Sequence, residues 1–362
     1  MQAQQDDRPI IKGRAFCPSC GGRRLADTAA HLVDRVFPHV PVRQWVLSLP
    51  FALRYRLAYD PELVTAVLQI FAHTVLGSLI RRAGDFGAVR RAQGGAVTFI
   101  QRAGGSLNLN VHFHMLALDG VYAADDDDRR QFQPLPAPAN EDIAQLTASL
   151  AERIPAMLQR RGLGPEADPE ESDSLRRDQP WLAGLYAASI QGRVAFGPNA
   201  GQRVTRTGDQ IDPESLEALA SPRCASVAGF SLHANVSVPA RDRDRLERLV
   251  RYCARPPLAI ERLEPLPDGR LLYRFKRPWR NGTTHIVLSP LELIEKLAAL
   301  VPRPKTHLVR YHGILADRKT NARIHKPADR TPGKRAFPAR RTPARAGIAA
   351  AGVRVTFQDS RP

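Results

Sequence analysis

The clearest pattern along this chain is an alternation of apolar and polar residues from Leu107 to His114. Side chains two positions apart on a strand point to the same face, so the alternation predicts a half-buried strand. Its polar face carries Asn108, Asn110, His112 and His114. Two histidines with this spacing lie roughly 7 Å apart at their Cα atoms, which is close enough to bind one cation together. The alternative is a pair of solvated or structural histidines.

Three other segments also have the pattern of strands. The run from Gln44 to Pro50 is short and apolar and ends at its proline. The run from 96 to 101 follows a pair of glycines, in hairpin-like order with the histidine strand. The run from 228 to 238 alternates again and places His233 on its polar face. His233 is therefore the candidate for a third metal ligand, and a solvated histidine is the alternative.

Helical patterns separate these strands. The sequence Asp60-Pro61-Glu62 combines an N-cap, a first-turn proline and a first-turn acid, and it precedes an apolar stripe. Further helices are predicted from Glu141 to Arg161 and over 290–300. We therefore expect an α+β fold, an antiparallel sheet flanked by helices, with residues 129–222 as a helical insertion between its two halves.

One more helix is predicted from Arg241 to Ala254, ahead of Pro256-Pro257. Its apolar stripe recurs with helical spacing at Leu246, Leu249, Val250 and Cys253. Tyr252 lies roughly 110° from the middle of this stripe, at about 100° per residue, so it sits on the flank of the helix. Most flank tyrosines only pack, but such a position leaves the hydroxyl free to react.

The charge of the chain indicates a polyanionic partner. The 362 residues carry a formal net charge of +17, which is typical of proteins that bind nucleic acid. Residues 318–362 are rich in Pro, Arg and Ala, and we expect them to form a disordered basic tail. The run 271–280 interleaves aromatic and basic residues suited to stacking on bases and binding phosphates: Tyr273, Arg274, Lys276, Arg277, Trp279 and Arg280. The alternative for this run is a strand with a solvated edge.

The four cysteines are too few for a disulfide framework in a chain of this length. Cys17 and Cys20 form a Cys-x-x-Cys knuckle, which is half of a Zn²⁺-binding ribbon. We expect residues 1–40 to be a partial zinc-ribbon-like module, or else a loose segment without zinc. No apolar run approaches membrane-spanning length and no signal-peptide pattern is present, so a cytoplasmic protein without a membrane partner is expected.

The segments from Gly95 to Arg102 and from Leu107 to Tyr122 together resemble the catalytic core of the rolling-circle insertion-sequence transposases. These belong to the HUH superfamily of single-strand nucleases, named for a His-hydrophobic-His triplet that here reads His112-Phe113-His114. The resemblance extends from about 16 to 316 and implies a catalytic core over 41–317. It also implies that the two histidines hold Mg²⁺ or Mn²⁺. The implied partner is single-stranded DNA at element ends and target, bound at the nucleoid.

The resemblance extends to a nucleophile. The run from Tyr252 to Ala259 is similar to the family's catalytic tyrosine motif, which implies that Tyr252 forms a covalent 5′-phosphotyrosine with DNA. Two-tyrosine members carry another tyrosine four residues earlier, where this chain has Arg248, so the chain resembles the single-tyrosine branch. Tyr311 is a rival nucleophile.

Two other functions stay open at this point. One is an inactive DNA-binding remnant of such a transposase. The other is a metal-dependent hydrolase that uses the His-x-His pair with activated water and forms no covalent intermediate.

Overall fold

The structure is a computed structural model, and it describes residues 18–85, 92–124, 130–164, 173–207, 222–276, 278, 282–304 and 306–316. The chain divides into one unit of Met1–His325 and a second of Lys326–Pro362. The second unit lies wholly outside the described residues, and so does the whole of the expected basic tail. The fold that follows is that of the first unit.

The strands, in chain order, are β1 (Val42–Ser48), β2 (Gly95–Ala103), β3 (Leu109–Leu118), β4 (Gly120–Ala124), β5 (Arg130–Pro134), β6 (Thr205–Thr207), β7 (Cys224–Val227), β8 (Phe230–His233), β9 (Ser237–Val238), β10 (Leu263–Pro265), β11 (Leu271–Arg274), β12 (His285–Leu288) and β13 (Val309–Gly313). The helices are α1 (Pro18–His31), α2 (Phe51–Tyr59), α3 (Pro61–Asp85), α4 (Asn140–Arg160), α5 (Ser174–Asp178), α6 (Pro180–Gln191), α7 (Arg243–Ala254) and α8 (Pro290–Leu300).

The central sheet has the order β13-β2-β3-β1-β8-β7, and β9 also pairs with β1. The pairings within it are antiparallel. Helices cover it, so the predicted α+β fold with an antiparallel sheet flanked by helices is confirmed. The strand that carries the two histidines, β3, lies between β2 and β1 near the middle of the sheet.

Different helices cover the two faces of this sheet. One face, which includes Trp45 and Phe113, packs against α2, α3, α4 and α6 in the largest apolar cluster. The other face, which includes Phe99, packs against α1 and α7. Because paired residues of antiparallel strands point the same way, the partners of Phe99 and of Ser48 place His114 and His112 on this second face.

Side-chain caps begin the two helices that matter most for this arrangement. The backbone N–H of Leu63 donates to Asp60 Oδ1 at 2.8 Å, which confirms the predicted start of α3. The backbone N–H of Arg245 donates to Asp242 Oδ1 at 3.0 Å and starts α7. Both caps satisfy backbone donors that have no partner inside the helix.

Helix α3 corrects one expectation. Its segment Pro61–Gly84 is 24 residues long and, by length and composition alone, is apolar enough to cross a membrane. The sequence analysis was therefore wrong that no apolar run approaches this length. In the fold, 67% of its most apolar window is buried, as expected for a core helix that packs on a sheet.

A second antiparallel sheet, in the order β10-β11-β12-β6, was not predicted as a separate unit. Its core includes Tyr273, Ile286 and Leu288. Leu107 is fully buried in the same cluster, with a backbone φ of 57°. The strand predicted from Leu107 therefore begins two residues later, at Leu109, because Leu107 turns away into this second core.

Candidate functional site

His112 and His114 form the centre of the site. Their rings meet edge to face with centroids 5.0 Å apart, as expected for neighbours on one face of a strand. His114 is only 5% exposed, and His112 is half-buried. The structure thus brings the two histidines together, as the alternation predicted.

Burial keeps both imidazoles neutral. It lowers the pKa of His114 to about 3, and the neighbouring His112 and Arg255 add to this effect. Burial also lowers the pKa of His112, with smaller contributions in the same direction from Arg255 and Arg54. A neutral imidazole keeps a lone pair on one ring nitrogen, which is the form that can bind a metal ion.

Hydrogen bonds decide which ring nitrogens are available. Nδ1 of His112 lies 2.8 Å from the backbone carbonyl oxygen of Asn110. A carbonyl oxygen only accepts, so Nδ1 carries the proton and Nε2 of His112 keeps its lone pair. Metal-binding histidines commonly have this arrangement, in which one ring nitrogen donates to a backbone carbonyl and the other binds the metal ion.

In the described part of the chain, a side-chain oxygen next to the histidine pair has no hydrogen-bond partner. Oδ1 of Asn110 is buried and accepts no hydrogen bond within the described part of the chain. Strand alternation places Asn110 on the same face as His112. Mg²⁺ and Mn²⁺ prefer oxygen ligands, and amide oxygens are among those they accept. The side chains on this face therefore fit a hard divalent cation, with two imidazoles and an orphaned amide oxygen.

Tyr252 on α7 lies directly against this pair. Its ring meets that of His114 edge to face with centroids 5.8 Å apart. Leu246, Val250 and Cys253 are buried in the apolar cluster under α7, whereas Tyr252 is half-buried. The flank position read from helical spacing therefore leaves Tyr252 at the edge of the helix–sheet contact, next to the histidines.

Two glutamines fix the end of α7 to the sheet. Gln101 on β2 donates through Nε2 to the carbonyl of Cys253 at 2.6 Å. Gln44 on β1 donates through Nε2 to Cys253 Sγ at 3.3 Å and also contacts Nδ1 of His114 at 2.8 Å. Since β2 and β1 flank β3 on its two sides, Tyr252 is held over the histidine strand from both directions.

The sequence analysis missed these two glutamines. Each is a polar residue inside a run that is otherwise mostly apolar, Gln44 in Val42–Ser48 and Gln101 in Gly95–Ala103. A buried amide requires a hydrogen-bond partner, so this interruption was the available signal.

Two cations flank the tyrosine ring. Cζ of Arg255 lies 4.6 Å from the ring centroid of Tyr252, and Nζ of Lys276 lies 4.5 Å from it. Both distances are within the range of cation–π contacts. Lys276 belongs to the predicted aromatic and basic run, and among the described members of that run it is the one with a cation–π contact to Tyr252.

The other described members of that run, Tyr273 and Arg274, have different surroundings. Tyr273 is 1% exposed and belongs to the core of the second sheet. Arg274 is exposed and lies 3.8 Å from Glu264 across the neighbouring strand. Arg277, Trp279 and Arg280 lie outside the described residues.

The structure does not bring His233 to the histidine pair. His233 pairs with Val46 on β1, so β1 separates β8 from β3, and the Cα atoms of His233 and His114 are about 10 Å apart at ordinary strand spacing. Within the described residues, no group of three or more His, Cys, Asp or Glu side chains could hold a metal ion. The rival Tyr311 is also separated from β3, by β2.

The zinc expectation is not addressed by the described side chains. Cys17 and the side chain of Cys20 lie outside them, although the backbone of Pro18–His31 forms helix α1. Of the other two cysteines, Cys224 is exposed and Cys253 is buried under α7. Burial raises the pKa of the Cys253 thiol, so it stays protonated beside Tyr252.

Comparison with known proteins gives one family. Residues 95–323 match the family Y2_Tnp, described as "Putative transposase". The matched segment is more than half of the chain and contains the histidine pair, Tyr252 and both flanking cations. No curated protein and no solved structure shows a significant match. On the extent of the family match, the chain belongs to this transposase family.

Proposed function

We propose that this transposase nicks and rejoins single-stranded DNA by the rolling-circle route, with Tyr252 as its nucleophile. The observation that carries the proposal is the 5.8 Å contact between the rings of Tyr252 and His114, which puts a half-buried phenol beside two neutral imidazoles. A nucleophile and a metal site have to converge on one phosphate for such a reaction. Because its proposed substrate is DNA, the protein would act in the cytoplasm, at the nucleoid.

The covalent step conserves one phosphodiester bond. The phenol oxygen of Tyr252 attacks the scissile phosphorus and loses its proton, a P–O bond to tyrosine forms, and the P–O3′ bond breaks. The departing 3′ oxygen takes up a proton and leaves as a hydroxyl group. When another 3′-hydroxyl attacks the 5′-phosphotyrosine, the same events run in reverse, so strand transfer needs no external energy source.

His112 and His114 would hold the divalent metal through their ring nitrogens. The metal, Mg²⁺ or Mn²⁺, would supply Lewis-acid polarisation of the scissile phosphate. His233, the third ligand expected from the sequence, is two strands from His114. We propose the amide oxygen of Asn110 as the nearer alternative, because it is buried without a partner in the described residues.

Arg255 and Lys276 have a different task. Both lie within 4.6 Å of the Tyr252 ring centroid, and both are exposed enough to reach a bound strand. They would together bind a backbone phosphate next to the nick and offset negative charge as it develops on the phenol oxygen. The hydrogen bonds from Gln101 and Gln44 to Cys253 would hold the phenol in place while this occurs.

A single nucleophile limits what one chain can do. Arg248 occupies the helix position one turn before Tyr252, where a second tyrosine would lie on the same flank. One chain therefore holds one covalent DNA end at a time. A complete transposition cycle would use two chains or two successive reactions at the same tyrosine.

A covalent-adduct assay tests the proposal. Labelled single-stranded DNA carrying candidate element ends is incubated with the protein and Mn²⁺ or Mg²⁺, and the products are separated on a denaturing gel. We expect a protein–DNA adduct that disappears in Tyr252→Phe and in the double variant His112→Ala/His114→Ala but persists in Tyr311→Phe.

The other outcomes identify the alternatives. Cleavage without an adduct, unaffected by Tyr252→Phe, would support the metal-dependent hydrolase. Binding of the same strands with neither cleavage nor adduct would support the inactive remnant. An adduct lost in Tyr311→Phe and retained in Tyr252→Phe would reassign the nucleophile.

A further inference from the structure

A cleft of about 660 Å³ opens beside the site, between β2, β13 and the segment that follows α7. This volume lies within the range of small-molecule and cofactor pockets. Its walls include Gln101, Pro256, Leu308 and Tyr311. Neither the histidine pair nor Tyr252 is part of its lining, so the proposed covalent step leaves the interior of the cleft without a role.

The walls combine flat surfaces with positive charge. Tyr311 is 40% exposed on β13, and Tyr273 contributes to the wall from the second sheet. Arg262 stacks over Tyr273, with Cζ 5.2 Å from the ring centroid. Aromatic rings and stacked guanidinium groups are the surfaces on which unpaired bases pack.

One arginine that lines the cleft makes its hydrogen bonds to other parts of the fold. Arg102 donates to the backbone carbonyls of Ala58 and Leu300 and stacks on Tyr186. Its role is to join β2 to α2 and α8, so it is left out of the binding argument. Among the described residues, Arg255, Arg262 and Lys276 also line the cleft.

The cleft is continuous with the nucleophile. Arg255 and Lys276 line it and are also the two cations that flank the Tyr252 ring. A DNA strand whose phosphate lies between these two groups would have its next nucleotide at the mouth of the cleft. Such a nucleotide would find apolar walls, a stacking surface and the amide of Gln101.

We propose that this cleft binds the base of an unpaired nucleotide next to the scissile phosphate, with the adjoining phosphate held by Arg255 and Lys276. The inference rests on the proposed function and specifies its substrate. A paired base would have to leave its helix to enter, so the cleft selects single-stranded over double-stranded DNA. Stacking on Tyr311 tolerates every base, so this selection does not depend on sequence.

A second cleft of about the same volume differs from the first in its lining. It lies on the opposite face, between α3 and β13, and is lined by Gln69, Arg161, Arg303 and Arg310 among others. It is basic, but its lining contains no aromatic side chain. It is therefore suited to phosphates alone and serves as a control site.

The test separates the contribution of bases from that of phosphates. Fluorescein-labelled oligothymidylate and an abasic sugar–phosphate strand of equal length are titrated with protein in EDTA, so that no metal-dependent cleavage occurs. We expect wild type to bind the thymidylate strand about 5-fold to 100-fold more tightly than the abasic strand. Tyr311→Ala and Arg262→Ala should each reduce this ratio, and unlabelled duplex should compete poorly.

The matched control is Arg161→Ala in the second cleft, which should weaken binding of both strands equally and leave the ratio unchanged. A ratio of one in wild type, or a ratio that neither Tyr311→Ala nor Arg262→Ala changes, would overturn the proposal. Because binding in EDTA does not depend on Tyr252, a normal ratio with no covalent adduct would reject the proposed catalysis and leave the cleft assignment standing.

Discussion

Gln44 and His114 lie on adjacent strands, with the amide nitrogen of Gln44 2.8 Å from Nδ1 of His114. In this orientation the amide donates to Nδ1, so the proton of the neutral ring lies on Nε2. Rotating the amide by 180° would present its oxygen to Nδ1, move the proton there and free Nε2 for a metal ion. Gln44 therefore sets the tautomer of His114, and the proposed metal binding would require the second orientation.

Replacing Gln44 should weaken metal binding without removing either histidine. We expect Gln44→Leu to lower Mn²⁺ affinity about 10-fold to 100-fold, because His114 loses the partner that fixes its tautomer. Isothermal titration of the metal-free protein with Mn²⁺ measures this. Gln44→Glu should retain most of the affinity, since a carboxylate oxygen accepts a hydrogen bond from Nδ1–H and so leaves Nε2 free for the metal.

The control for this change is Gln191→Leu, an exposed glutamine at the end of α6. It should leave Mn²⁺ affinity at the wild-type value. Equal affinities in Gln44→Leu and wild type would show that His114 does not depend on Gln44.

The two cations beside Tyr252 should affect the rate of the covalent step. We expect Lys276→Met and Arg255→Met each to slow adduct formation by about 10-fold or more, because each removes positive charge near the developing phenolate. Single-turnover adduct formation at saturating protein measures the rate separately from affinity. Arg274→Met, an exposed arginine on the same segment as Lys276, is the matched control and should leave the rate unchanged. Wild-type rates in both Lys276→Met and Arg255→Met would remove both cations from the mechanism.

The sequence was sufficient for the parts of the site that depend on local periodicity. Strand alternation placed His112 and His114 on one face, and helical spacing placed Tyr252 on the flank of its helix. Both patterns are set by backbone geometry within a single element, so they can be read without knowing the fold.

The parts that depend on strand order could not be read in this way. His233 has the same alternation as the histidine pair, but β1 inserts between β8 and β3 and separates them. Gln44 and Gln101 reach Cys253 only because antiparallel registers bring three distant segments together. Leu107 is not part of β3, because its side chain packs in the core of the second sheet, which the sequence analysis did not predict.

A buried ion pair at the end of β3 should be important for stability. Arg43 donates to both carboxylate oxygens of Asp119, at 2.9 Å and 2.7 Å, and to the carbonyl of Ala234 at 3.0 Å. We expect Asp119→Asn to lower the free energy of unfolding by about 3–5 kcal/mol, because it leaves the Arg43 charge buried without its partner. Urea denaturation followed by circular dichroism measures this.

The exposed pair of Asp268 and Arg270 provides the comparison, with side chains about half exposed. Asp268→Asn should have no measurable effect on the same urea curve, since solvent screens an exposed ion pair. If Asp119→Asn unfolds at the wild-type urea concentration, the Arg43 pair is not a stabilising contact.

Buried neutral histidines should make the metal-free protein sensitive to mild acid. Burial lowers the pKa of His312 to about 4 and that of His114 to about 3, below the ordinary value of 6.5. As the pH falls from about 6.5 to about 4, the unfolded chain takes up protons that the folded chain does not. The free energy of unfolding should therefore decrease by about 1.4 kcal/mol per pH unit for each such histidine.

His312 is the better probe of this effect, because its Nε2 lies 3.1 Å from Thr98 Oγ1 on β2, away from the proposed metal pair. His312→Asn should reduce the slope by about 1.4 kcal/mol per pH unit in urea denaturation series in EDTA. A slope that is the same in His312→Asn and wild type would mean that His312 takes up its proton equally in the folded and unfolded states.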